Sequence, residues 1–258
     1  MILGTVSAAD AELYVAPDGR DDNPGTAKKP LATLRGARDR VRERIDDGLE
    51  SDVAVVARGG TYRVEDPVTF GPEDSGTAEH SVTYAAADGV DVLVTGGRTV
   101  TGWKRGEDGV WTTHLPKVEA GNWYFRQLYV NDTRAVRART PNLDDEPSRW
   151  QLTDANLADD LNTYTLTVGP GKLQKWDNIG DVEVMTAGNW AINRKRLSAV
   201  RPDEGVAVLD PPHISGLHWN APRKGRWGYF ENAREMLDRP GEWYLNRKTG
   251  VLSYMPRE

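Results

Sequence analysis

VAVVARGGTYRV, residues 53–64, is the stretch whose reading decides the fold. Its first five residues are all apolar, as in a strand buried on both faces. Arg58, Gly59 and Gly60 turn the chain, and residues 61–64 and 67–70 continue as short strands. After a loop rich in Gly, Pro and Asp, VTYAA (residues 82–86) repeats the first element 29 residues on from Val53. VLVT (residues 92–95) repeats the later element 25 residues on from Pro67. Short strands and tight turns recurring every few tens of residues suggest a solenoid, although a β-meander gives a similar pattern.

Upstream, residues 12–16 form a short strand, followed by the turn-rich loop PDGRDDNPGT. Thr33 is a good helix N-cap. Leu34, Ala37, Val41 and Ile45 then recur at spacings of three and four, which predicts a helix with one narrow apolar stripe. Gly48 is a suitable stop. A solenoid needs its open end covered, and this helix is suited to be the cap. Residues 1–11, MILGTVSAADA, end in a small-x-small pattern but lack a basic start and a long apolar run. They read as the remainder of a signal peptide or as a disordered tail, and the former implies a secreted or periplasmic protein.

Downstream of residue 102 the pattern changes to hairpins. Asp108-Gly109 and the loops at residues 131–134 and 246–250 separate short apolar strands, as in a β-sandwich. Residues 143–161 are polar and irregular. The expected divisions are thus 1–11 (leader or tail), 12–102 (cap and first rungs) and 103–258 (sandwich).

The chain's net charge of −6 argues against a phosphate-tracking nucleic-acid binder. It has no cysteine, which excludes thiolate nucleophiles, Cys-ligated metals and disulfides. No stretch approaches the length of a membrane span. Trp equals Tyr at nine each, a weighting toward rings with a flat apolar face and a polar handle.

The runs YVAPDGRDDNPGTAKKPLATL (14–34), ARGGTYRV (57–64) and PVTFGPEDSGT (67–77) resemble the opening of bacterial right-handed parallel β-helix proteins of the pectate-lyase-like type. VTGGRTVTGW (94–103), WYFRQLYVND (123–132), RARTPN (137–142) and GYFENAREMLDRPGEWYLNRKTGVLSYMP (228–256) resemble the N-terminal half of proteins similar to family 141 glycoside hydrolases. The resemblance implies a mainly β chain: the cap and first rungs of a right-handed parallel β-helix with one capping helix, followed by an inserted β-sandwich domain. It also implies that the catalytic carboxylates lie in later rungs, beyond residue 258, so no catalytic residue is assigned. The expected partners are a polysaccharide or oligosaccharide and the missing C-terminal rungs of the same protein.

Glycoside hydrolysis needs two carboxylates across the scissile bond. With 39 acidic residues, the sequence alone does not single out a pair. Candidate substrate-binding residues are Trp123, Arg137, Arg139, Trp190 and Tyr229. Arg137 and Arg139 sit on one face of a strand and suit an acidic sugar or a hydroxyl array, or salt bridges to nearby acids. Trp123, in a cluster with Tyr124 and Phe125, and Trp190 and Tyr229, near Asn189 and Trp227, offer stacking platforms or core packing. His114, His213 and His218 lack ligand spacing and read as structural, with His213 and His218 in a loop able to border a cleft. Asp18, Asp21, Asp22 and Asn23 do not have EF-hand spacing and read as turn formers. No metal and no cofactor are expected. The alternatives are a non-catalytic carbohydrate-binding or cell-surface module and a polysaccharide lyase fragment. A two-rung solenoid is expected to expose Val55, Tyr84 and Leu93 and to self-associate.

Overall fold

Three strands, β1 (Ala11–Val15), β2 (Val53–Ala57) and a third at Val82–Ala86, lie side by side and parallel in the computed structural model. The model describes residues 11–157, 164–211 and 221–257. Ala11, Val53 and Val82 are in register, as are Val15, Ala57 and Ala86. Between β1 and β2 runs helix α1 (Leu34–Asp46). After β2 come β3 (Gly60–Arg63), β4 (Val82–Ala86) and β5 (Val92–Thr95). A second parallel ladder pairs β3 with β5, from Gly60↔Val92 to Arg63↔Thr95. These elements belong to the first of two compact units, Met1–Val100; the second is Thr101–Glu258.

The first unit is aliphatic inside. Leu13, Val15, Leu31, Ala37, Val41, Val53 and Val55 form one buried cluster. The expected cap forms: Thr33 Oγ1 accepts the Gly36 N–H at 2.9 Å. Gly48, past the helix end, has φ +96°, a conformation that favours glycine. Arg42, on the polar face of α1, clamps Asp74 through Nε–Oδ1 and Nη2–Oδ2 bonds of 2.6 and 2.8 Å. That contact holds the Asp74 carboxyl down to about 2. Asp21 ties its loop to the helix start by accepting the Ala32 and Thr33 N–H groups, each at 2.9 Å.

Three expectations change here. Residues 67–70 form no strand, and β5 pairs with β3 instead. Pro67 has no N–H to give to a ladder. Arg35 and Arg38 of α1 take the carbonyls of Pro67 and Thr69. Val55 is buried rather than exposed, because β1 and β4 flank β2 on both sides. Tyr84 is half-buried, with its ring edge-on to Phe70 at 5.3 Å, while Leu93 is exposed as expected.

The second unit contains β6 (Lys104–Arg105), β7 (Trp111–His114), α2 (Pro116–Glu119), β8 (Tyr129–Val130), β9 (Thr133–Arg134), β10 (Val136–Arg137), β11 (Arg139–Thr140), β12 (Trp150–Gln151), β13 (Asp154–Leu157) and β14 (Tyr164–Thr167). It continues with β15 (Glu183–Ala187), β16 (Ile192–Arg201), β17 (Val206–Leu209), β18 (Trp227–Glu231), β19 (Glu242–Leu245) and β20 (Val251–Tyr254). One sheet has the order β10-β19-β20-β7-β6, and a larger one runs β11-β18-β15-β16-β17-β14-β13 with β12 also on β18. Nearly all pairs here are antiparallel; β10–β19 is parallel. Val184, Phe230, Leu197, Leu166 and Ala207 of the larger sheet share a core with Tyr244 of the smaller one, a sandwich-like arrangement. The whole chain is mainly β, most pairs are antiparallel and none of its sheets closes on itself among the described residues. No helix among them is long and apolar enough to cross a membrane.

Candidate functional site

Strand alternation puts Val184, Phe230 and Leu197 on the core side of the larger sheet. Their neighbours along each strand therefore face away from that core. Across β18, β15 and β16 these outward residues form two rows. One row is Glu231, Glu183 and Arg196; the other is Tyr229, Met185 and Arg194.

The first row begins with a conflict. Glu183 and Glu231 are directly opposed, and like charges so placed repel. Arg137 resolves it: its Nη1 donates to Glu183 Oε2 and, at 2.7 Å, to Glu231 Oε1. Arg126 adds a fork onto Glu183, with Nη2–Oε1 at 2.9 Å and Nε–Oε1 at 3.1 Å. Glu183 is 1 % exposed. Burial pushes its carboxyl up, but the bonds from Arg126 and Arg137 outweigh this and hold it below the usual carboxylate range. Tyr124 seals the group. Its hydroxyl accepts from Arg137 Nη2, and its ring has Arg126 at 5.0 Å and Arg196 and Arg247 at 5.8 Å from its centroid. Arg247 is itself paired with Asp181.

The second row is only partly exposed: Met185 is buried at its middle, Tyr229 is half-buried and Arg194 is exposed. The Trp227 and Tyr229 rings lie nearly parallel, 6° apart, with centroids 6.5 Å apart. Arg149 covers the Trp227 face at 4.3 Å and Arg139 the Tyr229 face at 3.7 Å. Arg139 donates to the carbonyls of Pro141 (2.9 Å) and Ser148 (2.6 Å). Burial of Tyr229 pushes its hydroxyl up. Arg194 donates from Nε to Met185 Sδ at 3.1 Å and stands 3.8 Å from Glu183. Trp190, in the turn joining β15 to β16, is 82 % exposed.

The residues proposed from sequence therefore fall in distinct places. Arg137 is buried on β10, and Arg139, equally buried, lies on β11 in the other sheet, against Tyr229. Trp123 packs on Phe125 at 4.8 Å, and Phe125 on Trp243 at 5.5 Å, beside Arg137. Tyr229 is in the second row, and Trp190 is in the turn that joins two of its strands. His114 pairs with Glu119 on the surface. His213, His218 and residues 1–10 lie outside the described residues. Sequence reasoning missed Glu183 and Glu231, yet a signal exists: each is an acid at the end of a mostly apolar strand, EVMTA and WGYFE.

This carboxylate pair is not arranged for hydrolysis. One guanidinium already bridges it, and Glu183 is fixed as a buried anion without a proton to give. A glycosidase acid and its partner must instead flank a sugar bond. A shallow cleft of about 340 Å³ in the first unit, lined by Asp21, Thr33, Tyr62, Arg63 and Glu65, has Asp21 committed to the helix start. Among the described residues no group of three or more acids or histidines is placed to hold a metal ion.

A solved structure titled "Glycoside hydrolase" matches the chain with a TM-score of 0.79 and 26 % identity, covering 96 % of this chain and 43 % of that one. The chain is thus glycoside-hydrolase-like and spans less than half the length of that relative. More particularly, the model of the GH141 insertion domain matches residues 108–257, and the chain belongs to that family. A second structure, "The complex structure of XylC with xylose", matches with a TM-score of 0.30 and 15 % identity over 91 % of this chain and 33 % of that one, too distant to carry an argument. No curated protein matches.

Proposed function

We propose that this chain is the N-terminal portion of a secreted, polysaccharide-degrading glycoside hydrolase of the parallel β-helix type, and that its own role is to hold carbohydrate rather than to cleave it. The observation that carries this reading is the likeness of nearly the whole chain, both units included, to a solved glycoside hydrolase. The two parallel ladders of the first unit are what first rungs of such a helix require, and β4 and β5 are the strands onto which further rungs would stack. In this reading the catalytic carboxylates belong to the part of the relative that this chain does not cover. The insertion domain supplies a wall, with Tyr229, Arg139 and Trp190 toward the sugar and Trp123 and Arg137 supporting them.

The test is to incubate the purified chain with a panel of plant, algal and bacterial polysaccharides. Retention on at least one of them, with no new reducing ends, is expected. Release of reducing ends by this chain, or retention on none, overturns the proposal.

A further inference from the structure

We infer that the second row of the larger sheet, with the exposed Arg194 and Arg149 beside its half-buried rings, is a subsite for an acidic sugar, a uronate within an oligosaccharide. This inference rests on the carbohydrate reading above and narrows it.

Charge comes first. The chain as a whole is acidic, at −6, yet this face is cationic. Arg139 and Arg149 are placed on ring faces, and the side-chain bonds of Arg139 run to backbone carbonyls. Arg194, at one end of the row, stands 3.8 Å from Glu183, which Arg126 and Arg137 also hold. Glu231 acts on Arg139 in turn, so five arginines, Arg126, Arg137, Arg139, Arg149 and Arg194, share two carboxylates, Glu183 and Glu231, on this face, and positive charge is left over. A planar guanidinium presents a fork that matches a carboxylate.

Shape comes second. Met185 is directly opposite both Tyr229 and Arg194, so the row spans two strand spacings, about 10 Å. That length accepts one pyranose ring with its carboxylate at Arg194. Alongside, Ile192 is directly opposite Ala187 and exposed, one step further along the same face and next in line to Trp227. An apolar shelf beside a cationic row suits a ligand with one C–H face and one anionic edge. A neutral sugar would leave the surplus positive charge of this face unmatched, and a simple anion would leave the shelf uncovered.

The experiment is a titration of the intact chain, followed by tryptophan fluorescence, with tetragalacturonate and tetramannuronate. Controls are the methyl ester of tetragalacturonate, which keeps the rings and removes the charge, inorganic phosphate and polyaspartate. Expected is binding of at least one acidic tetrasaccharide. It should be about tenfold tighter than to the methyl ester and weakened by salt near 0.5 M. Arg194→Gln and Arg149→Gln, both exposed, should each weaken it about fivefold with the fold retained by circular dichroism, and Trp227→Phe less. Equal affinity for acid and ester, polyaspartate binding as tightly as the sugars, or no binding of either acid each overturn the inference. Binding of the ester alone removes the acidic subsite while leaving the carbohydrate reading standing.

Discussion

The two units of this chain are held together by opposite means. The first stacks aliphatic strands in register beneath one amphipathic helix, and its core is aliphatic, with charged ties such as Arg42–Asp74 outside that core. The second pairs its strands antiparallel and closes one end of its outer face with charges: Arg137 lies buried between Glu183 and Glu231, under Tyr124. A stacked ladder loses stability in proportion to the apolar volume removed. A buried charge cluster loses far more when one member goes, because the remaining charges are stranded.

The largest effect is therefore expected at Glu183. Glu183→Ala leaves Arg137 buried with half its partners gone and should cost about 3–5 kcal/mol, read as a fall in the urea midpoint. Replacing all three, Arg137→Met with Glu183→Leu and Glu231→Leu, should recover most of that loss. A cost below about 1 kcal/mol for Glu183→Ala would dissolve the contrast between the units. In the first unit Leu13→Ala should cost about 3 kcal/mol by opening a cavity, with no comparable rescue by a charge-neutral partner change.

Acid should separate the units further. Burial pushes the Glu242 carboxyl up to about 7 from its ordinary 4.5, with the Asp238 and Arg239 N–H groups opposing the shift. A carboxyl raised in the folded state gives stability that is fully present below pH 4.5 and is lost as pH rises toward 7. Glu242→Gln should flatten that loss, worth about 3 kcal/mol, in urea melts at a series of pH values. Asp74 behaves in the reverse sense. Arg42 holds it near 2, so its contribution is present above pH 4 and fades as pH falls toward 2. Asp74→Asn should abolish that acid-side fade without altering the slope between pH 5 and 7. The smallest effect is Thr33→Ala, about 1 kcal/mol from loss of the helix cap.

The first unit was largely legible because its signals are local. A five-residue apolar run, a capping threonine and a glycine past the helix end each declare their structure within a few residues. What misled was residues 67–70, whose strand-like composition is overridden by Arg35 and Arg38 reaching across from the helix. In the second unit the hairpin turns were legible, and Asn131 and Asp132 do adopt positive φ between β8 and β9. The partners of Arg137 were not. Glu183 and Glu231 lie 46 and 94 residues away along the chain, and nothing local in RARTPN names them. The row of Tyr229, Met185 and Arg194 arises only when β18, β15 and β16 come into register. Its aromatic members were visible in the sequence as residues, but their common face was not.

The central claim is that this chain meets carbohydrate on the outer face of its larger sheet. The most direct measurement follows the indole N–H resonances of its nine tryptophans while a bound polysaccharide fragment is titrated in. The Trp227 and Trp190 signals are expected to move, while those of the buried Trp176 and Trp243 stay in place. Saturable binding that leaves Trp227 and Trp190 unmoved would contradict it.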